Sequence, residues 1–198
     1  MSVTKIEHWR ANARSAPRIT WLDRSEVVAH FIRPGDVVCD LGAGAQTLRQ
    51  FLPASVGYIP VDCVNEHPGT WLADFNGDFA LPDTPFNVIT CIGLLAHLAD
   101  PAAFLERLAT SQTGKFFIFT TSRSDEVSSY SRFVSDLSTV AVVRGRYIYT
   151  GVLRQLGSVD RTRRPISTIV CSNTPLLTYA ASRIGLLIGY LRRGGNNR

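Results

Sequence analysis

The sequence predicts one α/β domain, a three-layer α/β/α sandwich with a mostly parallel sheet. Between residues 36 and 121 short apolar runs alternate with helical stretches, which is typical of parallel strands joined by right-handed crossovers. A glycine-rich turn follows the first of these runs, where such folds place a nucleotide. The length of 198 residues fits a single domain with its own core. We therefore expect no second catalytic domain.

The elements follow from apolar periodicity and from capping residues. Residues 1–35 form a predicted N-terminal helical arm that breaks near residues 15–17 and resumes on Asp23 or Ser25 as a cap. In the core, residues 36–121, we expect strands near 36–41, 56–62, 70–74, 86–92 and 115–121. Predicted helices cover residues 46–52 and 101–111. Asp100 caps the second of these, and Pro101 takes its first position.

The pattern weakens after Thr121. We assign residues 122–193 to the same domain, with a helix over 133–143, a sixth strand over 166–171 and a part of substrate recognition. The apolar stretch 175–191 is interrupted by Arg183, so it fits a core or dimer-interface helix, or a helix lying on a membrane surface. Residues 194–198 are predicted to be a disordered tail.

Charge is concentrated in the last third of the chain. The net charge is +5, with 45% apolar and 19% charged residues, a composition that excludes disorder. A basic face of this kind is either simply solvated or suits nucleic acid, a phosphorylated substrate or anionic lipid headgroups. No motif that reads RNA or DNA accompanies it. The arginines concerned are Arg144, Arg146, Arg154, Arg161, Arg163, Arg164, Arg183, Arg192, Arg193 and Arg198.

The cysteines predict a cytoplasmic protein. Their spacing offers neither a CxxC pair nor a zinc site, and most of them fall in or just after predicted strands, where a reduced thiol packs as a small apolar group. The first residues lack the apolar core of a signal peptide. The four cysteines are Cys39, Cys63, Cys91 and Cys171.

The pentad Asp40-Leu41-Gly42-Ala43-Gly44 is the most informative motif. Its glycines permit a tight turn and let a ligand approach the backbone. A carboxylate at the end of the preceding strand opposes a pyrophosphate, but it suits the ammonium and sulfonium groups of S-adenosylmethionine. Thr47 stands where the dinucleotide fingerprint requires Gly or Ala. An NAD-dependent oxidoreductase stays an alternative, which would bind NADH.

A second acid follows at the spacing that this interpretation requires. Tyr58-Ile59-Pro60-Val61-Asp62 is an apolar run that ends in a carboxylate, about twenty residues beyond the glycine turn. Asp62 is therefore the candidate for the ribose hydroxyls, although such an acid could also cap the next helix.

Four segments in order resemble the class I S-adenosylmethionine-dependent methyltransferases, which have a Rossmann-like fold. VVCDLGAGA (37–45) is similar to their glycine motif, and YIPVD (58–62) to the second strand with its ribose-binding acid. WLADF (71–75) is similar to the adenine-flanking segment, and FNVITCIGLLAHLADPAAFLERLA (86–109) to the fourth strand and its helix. The resemblance covers residues 37–121, under half of the chain.

The resemblance implies a set of cofactor-binding residues. Asp74 would lie near the exocyclic amine of adenine, Phe75 would flank the ring, and the methionine end would lie along the fourth strand near Gly93. The leading helices would close over the cofactor, which makes Trp9 and Trp21 either lid or core residues. The implied set is Asp40, Gly42, Ala43, Gly44, Asp62, Cys63, Asp74, Phe75 and Gly93. The chain departs from the family at Gln46, where a third glycine is frequent.

Methyl transfer from a sulfonium depends mainly on alignment, so a catalytic base is optional. A hydroxyl or protonated amine acceptor would need one, and His97, just after the fourth strand, is the candidate; a structural histidine is the other interpretation. The sequence shows no metal-binding cluster, GxSxG nucleophile or Walker lysine, which disfavours hydrolases and phosphotransferases.

The predicted function is methyl transfer from S-adenosylmethionine to an oxygen or nitrogen of a small molecule. One alternative is a methyltransferase acting on protein or RNA, docked through the basic last third. Another is a non-catalytic member of the fold, acting as a partner subunit or cofactor sensor. A homodimer or a peripheral membrane contact through residues 175–191 is a further expectation.

Overall fold

The computed structural model describes residues 3–122, 127–143 and 145–154. Its α-helices are α1 (Val3–Arg14), α2 (Ile19–Ala29), α3 (Pro101–Ser111) and α4 (Val127–Tyr130), and two short 3-10 helices cover Thr47–Phe51 and Leu95–His97. The strands are β1 (Val37–Leu41), β2 (Gly57–Asp62), β3 (Trp71–Leu72), β4 (Val88–Cys91), β5 (Phe116–Thr121), β6 (Val134–Val143) and β7 (Arg146–Leu153).

The strands form one sheet in the order β3-β2-β1-β4-β5-β7-β6. All pairs from β3 to β5 are parallel, whereas β7 runs antiparallel to both of its neighbours, β5 and β6. Because the chain order reverses at β1 and β4, the carboxyl ends of these strands open a crevice where such sheets bind ligands. The predicted fold class, a mostly parallel Rossmann-like α/β domain, is confirmed.

Alternate residues of the central strands enter two separate cores, because successive side chains of a strand point to opposite faces. Cys39 and Leu41 of β1 pack in the core that includes Phe104 of α3. Val38 of the same strand packs in the other core, against Val28 of α2. Helices therefore cover both faces of the sheet, as a three-layer sandwich requires.

The element boundaries largely follow the prediction for the parallel half. Helix α3 covers residues 101–111, and the Asp100 side chain accepts a 2.9 Å hydrogen bond from the Ala103 amide, as a helix cap does. The predicted start of α2 was wrong. It begins at Ile19, after an extended Arg18 without a side-chain cap, four residues before Asp23.

The helix expected over residues 46–52 is present as a short 3-10 helix over Thr47–Phe51. It starts after Gln46, because the left-handed backbone of that residue (φ 52°) is excluded from a right-handed helix. The predicted helix over 133–143 was wrong. Residues 134–143 form β6 instead of a helix, since β7 provides a hydrogen-bonding partner for this valine-rich stretch. The predicted strand 166–171, the apolar stretch 175–191 and the tail lie outside the described residues.

None of the helices in the described ranges is long and apolar enough to cross a bilayer. The three cysteines in these ranges, Cys39, Cys63 and Cys91, are free thiols.

Candidate functional site

A cavity of about 510 Å³ lies at the carboxyl ends of β1, β2, β4 and β5. Side chains of α1 and α2, among them Trp9 and Trp21, line it together with the glycine turn. This volume is typical of small-molecule sites. Of the predicted site residues, all except Asp74 line the cavity.

The glycine turn presents open backbone to the cavity. Gly42 has a φ of 74° and donates its amide to the Val61 carbonyl at 2.8 Å, which ties the turn to β2. Gly44 has a φ of 50°, and a Cβ built on it would meet no atom within 4 Å. Gln46 keeps the left-handed conformation that a glycine adopts without strain, and its side chain donates to Thr70 at 3.2 Å. The departure at Gln46 therefore leaves the turn intact.

Asp62 joins the end of β2 to the glycine turn. Its Oδ2 accepts the Gly44 amide at 2.8 Å, and its Oδ1 accepts the Val64 amide at 3.2 Å. The residue is only 8% exposed but faces the cavity. The parallel strands β1 and β2 thus place the Asp62 carboxylate and the open backbone of Gly44 in one wall of the cavity.

Asp40 lies deeper, at 3% exposure. Tyr58 and Thr90 each donate a hydroxyl hydrogen bond of 2.6 Å to its two carboxylate oxygens. Burial raises the pKa of Asp40 to about 6, although these two hydrogen bonds oppose the rise. The carboxylate is therefore held in place by neutral donors before any ligand arrives.

At the end of β4, Gly93 has a φ of 80° and donates its amide to the Thr120 hydroxyl at 2.8 Å. The Arg24 guanidinium of α2 lies directly over it, since a Cβ on Gly93 would come within 3.0 Å of Arg24 Nη1. Because Gly93 has no side chain, the Arg24 guanidinium can lie close to the end of β4.

The remaining predicted cofactor residues have mixed surroundings. Ala43 and Phe75 line the cavity, but Phe75 also packs edge to face against Phe79 and Phe104 in the core. Burial raises the pKa of the Cys63 thiol to about 12, which keeps it protonated and a poor nucleophile. Asp74 accepts the Asn76 amide at 3.0 Å, and it is Asn76 that lines the cavity. Its contact with adenine stays a prediction.

His97 lies at the cavity edge, in the short helix after β4. Its ring packs edge to face against Trp9 of α1, with centroids 4.7 Å apart. Burial, then His8, Arg146 and Arg24, lower its pKa below the ordinary 6.5. The imidazole is thus neutral at pH 7 and able to accept a proton, as a base requires.

Sequence reasoning missed the roles of Tyr58, Thr90, Arg24 and Arg146, all of which contact or line this site. Two of them carry a signal in the sequence. Thr90 interrupts an otherwise apolar buried strand, and Arg24 occupies the face of α2 that also carries Val27 and Val28. A polar residue on a buried face needs a partner, so such positions mark a candidate site.

The same fold occurs in solved methyltransferase structures. A chain from a complex that contains the Haloferax volcanii Trm112 methyltransferase activator superposes with a TM-score of 0.55 at 15% identity, over 80% of this chain and 100% of that one. The N-methyltransferase NodS from Bradyrhizobium japonicum, bound to S-adenosyl-L-homocysteine, gives 0.55 at 8% identity over 75% and 97%. A SAM-dependent methyltransferase from Aquifex aeolicus gives 0.51 at 16% identity over 77% and 98%.

The chain has the class I methyltransferase fold. No protein-family model and no curated protein sequence matches it. At these identities the likeness extends to the methyltransferase fold alone, so the cofactor and the acceptor must be argued from the side chains of the cavity.

Proposed function

We propose that this chain is an S-adenosylmethionine-dependent methyltransferase that acts on an oxygen or nitrogen of a small molecule in the cytoplasm. The observation that carries the proposal is the meeting of Gly44 and Asp62 in one cavity wall. An exposed glycine backbone and a carboxylate at the ends of adjoining parallel strands fit an adenosyl group, whose ribose offers hydroxyl donors.

The chemical groups of the cavity residues and their positions both suit S-adenosylmethionine. The space over Gly44 admits a ligand against the backbone, and Asp62 offers a carboxylate to hydroxyl donors. Asp40 places negative charge below the glycine turn, where the cofactor's ammonium group would be favoured. Phe75 and Asn76 line the part of the cavity expected to hold adenine. When bound, S-adenosylmethionine supplies a methyl group on an already activated sulfonium.

The residues of the chain then have to position the acceptor and accept the proton that it loses. Trp9 and Trp21 line the cavity from the N-terminal arm and would exclude water there. His97, neutral at pH 7, would accept a proton at an imidazole nitrogen from a hydroxyl or ammonium acceptor. Catalysis otherwise depends on holding the reacting atoms close and aligned.

A small acceptor is favoured over a protein or RNA by two arginines of the basic last third that the structure describes. Arg146 lines the cavity. Arg154 donates to the carbonyls of Ser131 and Arg132, at 2.7 and 3.2 Å. These two side chains thus serve the cavity and the fold, which reduces what they offer to a docking face. The glycine turn and Asp62 are both in place, which disfavours a partner subunit that binds no cofactor; a cofactor sensor would keep the same residues and differs by the absence of methyl transfer.

The test is calorimetric titration with S-adenosylmethionine, S-adenosylhomocysteine and NADH. We expect micromolar binding of both adenosyl compounds, none of NADH, and loss of binding in Asp62→Ala. Asp83→Ala is the matched control, because Asp83 is an exposed acid outside the cavity. Binding of NADH alone would support an oxidoreductase, and binding of none of the three would support a structural member of the fold.

A further inference from the structure

Arg24 is a buried cation that points at the cavity. Only 9% of the residue is exposed, and its Nε donates to the Thr20 carbonyl at 2.9 Å, one turn back on α2. The terminal nitrogens lie over Gly93 in the cavity. Among the ion pairs of the described ranges, none includes Arg24. A buried guanidinium without an acidic partner is costly unless a ligand supplies the negative charge.

The position of Arg24 is fixed by its neighbour. Ser25, 1% exposed, forms a 2.8 Å hydrogen bond with Thr47, the first residue of the 3-10 helix after the glycine turn. This contact holds α2 against the turn. The packing of α2 against the turn therefore places the Arg24 guanidinium at the end of β4.

Further cations face the same space. Arg146 also lines the cavity, and its positive charge, after burial, lowers the pKa of Arg24. Arg18 also lines the cavity. Like charges gathered at one site repel one another, so an anion bound among them would relieve that repulsion.

Neither of the two acids of the cavity forms an ion pair with these arginines in the described ranges. Asp40 is engaged by the hydroxyls of Tyr58 and Thr90, and Asp62 by the amides of Gly44 and Val64. Both belong to the wall formed by β1 and β2. Among the described residues, the lining of the cavity near β4 and β7 includes Arg24 and Arg146 and no acid.

The geometry points to an anion-binding subsite in which Arg24 and Arg146 hold the carboxylate or phosphate of the methyl acceptor. Guanidinium groups suit both anions because they donate paired hydrogen bonds from a planar fork. This assignment rests on the proposed function and narrows it, since the acceptor becomes a small molecule with an anionic group near its methylated atom.

The cofactor also carries a carboxylate, and the sheet order separates the two sources for Arg146. Arg24 lies over Gly93, where the methionine end of the cofactor is expected, so for Arg24 a second titration separates them. Arg146 begins β7, which is antiparallel, so it lies at the same edge of the sheet as the carboxyl ends of the parallel strands. In the order β1-β4-β5-β7 it is two strands beyond β4, or about 10 Å at ~4.8 Å per strand. Gly42 and Gly44 are on the far side of β4. Arg146 therefore faces space beyond the cofactor's expected position.

The experiment titrates small anions into the protein saturated with S-adenosylhomocysteine. The probes are phenyl phosphate and benzoate, with benzyl alcohol as the neutral counterpart. We expect both anions to bind, benzyl alcohol not to bind, and the anion affinity to fall at least tenfold in Arg146→Gln and in Arg24→Gln. Arg33→Gln is the control, because Arg33 is exposed and outside the cavity. Equal anion affinity in Arg146→Gln and wild type would overturn the proposal.

A second titration distinguishes the acceptor from the cofactor. Arg24→Gln is compared with wild type for S-adenosylhomocysteine and for 5′-methylthioadenosine, which lacks the amino-acid carboxylate. Unchanged affinity for both supports the acceptor subsite. Weaker binding of S-adenosylhomocysteine alone would mean that Arg24 holds the cofactor, which overturns the proposal.

Failure of the proposed function gives a different result. If S-adenosylhomocysteine does not bind at all, anion binding to the free protein that depends on Arg146 would still support the subsite. Because Arg24 is buried, Arg24→Lys, which keeps the charge, accompanies Arg24→Gln. The Arg146→Gln arm tests the proposal even if both of these variants unfold, since Arg146 is exposed.

Discussion

Thr90 donates a 2.6 Å hydrogen bond to Oδ1 of Asp40 across the parallel pair β1 and β4, where the two residues stand in register. Tyr58 donates to the other oxygen from β2, on the opposite side of β1. Three neighbouring strands thus cooperate to bury one carboxylate below the glycine turn. Burying this carboxylate costs stability, and the two hydroxyl donors offset a part of that cost.

The first prediction concerns the pH dependence of stability. The pKa of Asp40 is about 6 in the folded state against an ordinary value of 3.8. Between these values the folded state binds more protons than the unfolded state, so the free energy of unfolding falls as pH rises. The contribution approaches about 3 kcal/mol, because each pKa unit corresponds to about 1.4 kcal/mol. Asp40→Asn should remove this slope between pH 4 and 6.5, as measured by urea unfolding.

The control for that experiment is Asp83→Asn, which changes an exposed acid. It should follow the wild-type pH profile. A wild-type slope that persists in Asp40→Asn would show that other groups cause it and that folding does not raise the pKa of Asp40.

The second prediction separates backbone strain from ligand access in the glycine turn. Gly44 and Gly35 both have positive φ angles, 50° and 87°, and a Cβ added to either would meet no atom within 4 Å. Each change to alanine should therefore destabilise the fold by a similar amount, about 1 kcal/mol. Only Gly44 lines the cavity, so only Gly44→Ala should weaken S-adenosylhomocysteine in calorimetry. Equal affinity in the two variants would refute close approach of the cofactor to Gly44.

The third prediction tests the antiparallel hairpin that the sequence did not reveal. A Cβ on Gly151 of β7 would come within 2.7 Å of the Ser135 carbonyl oxygen, a backbone atom that cannot move away cheaply. Gly151→Ala should therefore destabilise the protein by about 1 to 3 kcal/mol. Gly77→Ala is the control, because its Cβ would make only an ordinary 3.7 Å contact. Thermal melting of both variants checks this, and equal melting temperatures would contradict the close packing of β6 on β7.

The parallel half of the fold was predictable because its signals are local. Each strand there is a short apolar run, the glycine turn marks the end of β1, and Asp100 with Pro101 marks the start of α3. The hairpin of β6 and β7 depends instead on pairing between strands. Residues 134–143 mix apolar and small polar residues without a clear period, so only the partner strand decides their conformation.

The residues of the site also fall into a group that local sequence signals predict and a group that they do not. Asp62 and the glycines were predictable, because the end of one strand and the turn after another meet by the topology of a parallel sheet. Arg24 was not, because its place over Gly93 depends on how α2 packs across the end of β4. Arg146 depends on β7, which the sequence did not predict. The sequence therefore predicts the cofactor-binding side of the cavity. The side that carries Arg24 and Arg146 depends on tertiary packing, which the sequence pattern does not reveal.

The last prediction uses His97 as a reporter of that cationic side. Burial, followed by the charges of His8, Arg146 and Arg24, lowers the pKa of its ring below 6.5. Arg146→Gln removes one of these positive charges, so the His97 pKa should rise toward the ordinary value, as followed by NMR titration of the ring protons. Arg132→Gln, which changes an arginine outside the cavity, should leave the titration unchanged.

Phenyl phosphate bound to the wild-type protein should also raise the His97 pKa, because an anion stabilises the imidazolium. A titration that responds to neither the variant nor the anion would show that Arg146 and His97 do not share one electrostatic site.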